Sequence, residues 1–87
     1  MELEELAKKE IKRMEDVLKT LKVVDNKGSE LYEIMMSYFA DSKGFLKRKD
    51  YIRAFETVVI CWAYCDAGLH FGVFKTESRF GKLFTLG

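Results

Sequence analysis

Near the start of the chain apolar residues recur at alternating spacings of four and three: Ala7, Ile11, Met14, Leu18 and Leu21. That spacing keeps them on one helical seam while charged residues fill the other faces, and it predicts a first helix over about 2–22. Glu2, Glu4 and Glu5 suit the positive end of its dipole, and Lys19 and Lys22 suit the negative end. Glu4/Lys8, Glu5/Lys9 and Glu15/Lys19 have the i,i+4 order that supports a helix. Asp25-Asn26-Lys27-Gly28 is turn chemistry, with Gly able to take positive φ, and Ser29 stands as N-cap of a second helix.

The second helix, over about 29–48, places Leu31, Ile34, Met35, Tyr38, Phe45 and Leu46 on its apolar side. Gly44 interrupts it at a cost of about 1 kcal/mol relative to Ala, which neighbouring turns can absorb; a break there is the alternative. Lys49 leads directly to Asp50, a good N-cap, so the third helix, over about 50–72, folds back as an antiparallel hairpin. The pattern predicts an all-α three-helix bundle, with 1–87 as one domain and 73–87 as an aromatic tail.

On a helical wheel Tyr51, Ala54, Phe55, Val58, Cys61, Trp62, Cys65, Leu69 and Gly72 share one sector about 120° wide, which is the expected core side of the third helix. The far side carries Ile60, Ala63, Tyr64, Ala67 and Phe71, with Arg53 and Glu56 as charged company. A helix apolar on two sides needs two covers. The tail, with Phe74, Phe80, Leu83, Phe84 and Leu86, is one available cover, and a second copy of the chain is the other. A homo-oligomer, with a dimer favoured, or a different protein partner is therefore expected.

At 87 residues the chain has room for one domain with one core. Fifteen Lys and Arg against 14 Asp and Glu leave a formal charge of +1, so no global excess of positive charge points to nucleic acid or a membrane surface. Two cysteines give no disulfide framework, no run approaches a membrane span, and MELEELAKKE lacks the pattern of a secretion signal, which together suggest a cytoplasmic protein. The absence of Gln and Pro, the single Asn26 and the 33% of charged residues fit a protein from a hot environment. A thermal midpoint in the mesophilic range of roughly 45–65 °C would remove that support.

Little of this pattern specifies chemistry. Cys61 and Cys65 share a helical face, but a tetrahedral metal site needs four donors and His70 points elsewhere, so they read as buried structural thiols. Asp66 and His70 are also i,i+4 and form a candidate polar or small-ligand site, without an adjacent nucleophile or oxyanion donor to complete a catalytic one. Gly68 and Gly72 allow close approach of another segment. Lys43, Lys47, Arg48, Lys49 and Arg53 cluster at the corner between the second and third helices, where a solvated cap is the simple reading and an anion or nucleic-acid contact the functional one. No catalytic residue, cofactor site or metal site is expected. The leading function is a non-enzymatic module acting through self-association or protein contact, and the rival is an RNA- or DNA-associated accessory protein using the basic corner.

The run Phe45-Leu46-Lys47-Arg48-Lys49-Asp50-Tyr51-Ile52-Arg53-Ala54, then Tyr64-Cys65-Asp66-Ala67-Gly68 and Gly72-Val73-Phe74, resembles the short archaeal proteins of domain-of-unknown-function family 357. The likeness covers the second and third helices. Tyr64 stands where the family commonly has Trp, Cys65 where it has Leu, and Lys49 where Gly is frequent. The resemblance implies a small helical archaeal protein with no assigned activity, its most distinctive feature the Asp66-Ala67-Gly68 step. It carries over no catalytic residues.

Overall fold

The computed structural model describes residues 2–77. Three helices, α1 (Glu2–Leu18), α2 (Lys27–Lys47) and α3 (Tyr51–His70), form the bundle. Two short strands, β1 (Lys22–Val23) and β2 (Phe74–Lys75), pair antiparallel at one end, Lys22 opposite Lys75 and Val23 opposite Phe74. The α2–α3 hairpin is the largest contact, and α1 lies more on α3 than on α2.

The first helix stops at Leu18 rather than continuing to Lys22. Lys22 and Val23 leave the helix because backbone partners are available in β2, and Val24 N–H also donates to the Val73 carbonyl at 2.9 Å. The seam itself holds as far as Met14 and then shifts: Ala7, Ile11, Met14 and Val17 are buried, and Leu18 and Leu21 only partly so. Glu4 pairs with Lys8 at 2.7 Å, whereas Lys19 reaches Asp16 at 3.7 Å instead of Glu15.

Ser29 is not the N-cap of α2. The helix starts at Lys27 after Asn26, and the Asp25 carboxylate accepts from the Lys27 N–H at 2.9 Å. Gly28 is thus helical and buried, where a Cβ would press on the Val73 carbonyl oxygen at 3.0 Å. Gly44 does not interrupt α2. The core residues of α2 are Met35 and Phe39, with Ser42 fully buried between turns because its hydroxyl donates back to the Phe39 carbonyl at 2.7 Å. Leu31, Ile34, Tyr38, Phe45 and Leu46 are half-buried around them.

Both helix ends in the second half of the chain close in the same way. After α2, Asp50 N–H donates to the Phe45 carbonyl (2.9 Å) and Lys49 N–H to that of Leu46 (3.0 Å), with Lys49 in the left-handed region at φ 63. After α3, Val73 N–H donates to the Gly68 carbonyl (3.0 Å) and Gly72 N–H to that of Leu69 (3.3 Å), with Gly72 at φ 76. This paired pattern is the Schellman closure, which turns the chain sharply and satisfies the last carbonyls. As expected, Asp50 caps α3, accepting from the Arg53 N–H at 3.2 Å.

The turn at Gly72 sends Phe74 back into the bundle. Its ring is 2% exposed, sits edge-on to Tyr32 at 6.3 Å and rests against Gly68, where any Cβ would overlap it. Thr20 and Thr76 share a hydrogen bond at 2.8 Å. The beginning of the aromatic tail therefore belongs to the core; Phe80, Leu83, Phe84 and Leu86 lie outside the described residues.

Candidate functional site

The expected core side of α3 is buried at Ala54, Val58, Cys61 and Cys65, joined by Gly68. Tyr51, Phe55, Trp62 and Leu69 line its margins half-buried, and Gly72 is exposed. Burial pushes the Cys61 and Cys65 thiols up to about 12, so both are neutral and poorly nucleophilic. Arg13 of α1 places its guanidinium 5.6 Å from the Trp62 ring and closes one margin.

The opposite side of α3 is where an apolar surface meets solvent. Ile60, Ala63 and Phe71 are exposed, Ile60 at 37% and Phe71 at 74%. Tyr64 and Ala67 are half-buried between them, because Tyr64 stacks on Tyr38 of α2 at 5.7 Å with the rings 20° apart. Val59 is exposed beside this patch, and Ile52 is 63% exposed one end further along. Of the five residues expected on this face, three thus reach solvent, while Tyr64 is tied back to α2.

Asp66 is half-buried next to Cys65, and His70 is exposed with its ring edge-on to Phe71 at 5.1 Å. Among the described residues no three His, Cys, Asp or Glu side chains come together as metal ligands. Two open surface depressions are lined by Val23, Val24, Asp25, Asn26 and Ser29 and by Glu2, Glu5, Leu6 and Lys9, away from Asp66 and His70.

Lys43, Lys47, Arg48, Lys49 and Arg53 are all exposed at the corner of α2 and α3. The structure turns several of them onto the protein. Arg48 and Arg53 lie 5.0 and 6.0 Å from the Phe45 ring, Lys43 lies 5.2 Å from that of Phe39, and Arg53 is 3.5 Å from Asp50. Close by, Tyr51 is held above its usual titration range by burial and by the Glu4 carboxylate, which itself is lowered by its hydrogen bond to Lys8.

Sequence pattern alone missed Phe39, Ser42 and Val17 as core and Phe74 as the residue seated on Gly68. For Phe74 the Gly72 turn signal was available, but its target was not.

The fold and surface define a small all-α bundle with a fold-back strap and an outer α3 face that is exposed at Ile60, Ala63 and Phe71. The chain belongs to the family described as Protein of unknown function (DUF357), whose model matches residues 4–74, extending the likeness through the first helix as well. It is similar to the crystal structure of protein AF1782 from Archaeoglobus fulgidus, of the same family. Identity there is 32%, covering 87% of this chain and 95% of that one, with a TM-score of 0.75. No curated protein matches. The family has no assigned activity. No described helix is long and apolar enough to cross a membrane.

Proposed function

We propose that this chain is a non-enzymatic helical module whose role is to associate, first with itself, through the outer face of α3. The observation that carries this is Phe71, 74% exposed on the same face as Ile60 and Ala63, on a helix whose other side is already core. A large apolar ring held in water at a helix end gains by being covered. Solution mass by light scattering across a dilution series tests the reading. Self-association is expected, and Ile60→Lys or Phe71→Lys should return the protein to monomer with its helical circular dichroism unchanged. Association that survives both substitutions would place the contact elsewhere.

A second reading, contact with RNA or DNA, is supported by the five exposed cations gathered at one end of the bundle. Its mark is binding that weakens steeply with salt. Removing Lys47, Arg48 and Lys49 together should abolish such binding, and unchanged affinity would discard it.

A further inference from the structure

We propose that the outer face of α3 is covered by α3 of a second copy of this chain, packed antiparallel about a twofold axis between Ala63 and Ala67, with Ile60 of each copy against the partner's Phe71. The inference rests on the association reading above and adds who the partner is and how it is oriented.

The argument begins with the order of sizes along the face. Tyr64 is drawn aside onto Tyr38, and the remaining residues of the face, Ile60, Ala63, Ala67 and Phe71, run large, small, small, large. Ile60 precedes Ala63 by nearly the distance at which Phe71 follows Ala67, so the pattern reads almost the same in both directions. A surface of that kind is self-complementary under a twofold axis, the commonest symmetry of homo-oligomers. The alanines at the centre let two helix axes approach to about 8 Å, and the large residues, about 16 Å apart along the helix, close the two ends. A parallel pair would instead set Phe71 against Phe71 at one level and hold the axes apart.

Charge favours the same arrangement. Between Glu56 and Phe71, α3 has no Lys, Arg or Glu, so two copies meet without a like-charged pair at the centre. Asp66 lies about 115° around the helix from the middle of the face, and His70 sits at its rim. Antiparallel helices also place the positive end of each dipole beside the negative end of the other, which a parallel pair does not.

The size of the patch sets the strength. Phe71, Ile60, Val59 and their small neighbours expose on the order of 450 Å² per copy, hence roughly 900 Å² for the pair, at the weak end of specific interfaces. An interface of that size is a transient one, so the dimer should dissociate on dilution rather than be permanent.

Cross-linking through one introduced surface cysteine tests the orientation. Ala63→Cys and Ala67→Cys are made separately in the full chain, one of them carrying a mass tag. Each is oxidised alone and as an equal mixture, then run without reductant. Cys61 and Cys65 are buried and should contribute no background, which the unsubstituted chain checks directly. The antiparallel dimer brings position 63 of one copy beside position 67 of the other. The expected result is a disulfide-linked heterodimer from the mixture, well above what either variant gives alone. Light scattering on the unsubstituted chain is read alongside. Dimeric mass with cross-linking of each variant to itself as strong as in the mixture would overturn the antiparallel register. Dimeric mass with no cross-link would move the contact off this face. A strict monomer throughout would overturn both the register and the association reading.

Discussion

Gly68 shows how one missing atom organises this molecule. The Phe74 ring occupies the space a Cβ would fill, and Phe74 is what fastens the strap to the bundle. Gly68→Ala should therefore destabilise the fold by about 2–3 kcal/mol through overpacking. In a Phe74→Ala background the space is free, and the same substitution should be neutral or stabilise by up to about 1 kcal/mol, since Ala is the better helix former. Urea unfolding of the four proteins in this cycle measures the sign change. Lys49 is the complementary case. It occupies the left-handed position of a Schellman turn at φ 63, where a side chain is strained, so Lys49→Gly should raise stability by about 0.5–1 kcal/mol in the same assay.

The two thiols also act at this scale. With their pKa raised from an ordinary 9.0 to about 12, the folded chain keeps protons that the unfolded chain releases between those values. Their contribution to stability is thus fully present below about pH 9 and is lost as pH rises towards 12. At neutral pH a thiol reagent should label neither cysteine in the folded protein and both in denaturant.

Among the elements, α3 depends on its cap. Asp50→Ala removes the acceptor for the Arg53 N–H and should cost about 1 kcal/mol, seen as a lower urea midpoint. The elements also show where pattern reading succeeds. Periodicity located all three helices because each must turn one apolar side inward, and the Asp50 cap was legible because its partner lies three residues away. The early end of α1 was not legible: the stretch up to Lys22 continues a helical pattern locally, and Lys22 enters a strand with Val23 only because β2 arrives beside them. Ser42 is polar yet fully buried. Its burial is tolerated through a bond to its own helix, which no hydrophobic pattern signals.

For the whole molecule, the outer face of α3 and the basic corner predict different salt dependence. Association through Ile60, Ala63, Tyr64, Ala67 and Phe71 would bury uncharged surface, so its midpoint concentration should change little between low and high salt. A contact made by Lys43, Lys47, Arg48, Lys49 and Arg53 would weaken steeply over the same range. Sedimentation at two ionic strengths, with and without an RNA oligonucleotide, separates the two.

What the sequence determined by itself is local: three amphipathic segments, the Asp50 cap with the short turn before it, and a third helix apolar on two sides. These follow from backbone periodicity and from interactions spanning a few residues. Only the tertiary structure decided which apolar residues meet. It seated Phe74 on Gly68, drew Lys22 and Val23 into a strand, tied Tyr64 to Tyr38, and left Phe71 in water. Those outcomes depend on contacts between residues far apart in the chain, whose partners are set by packing geometry and not by spacing.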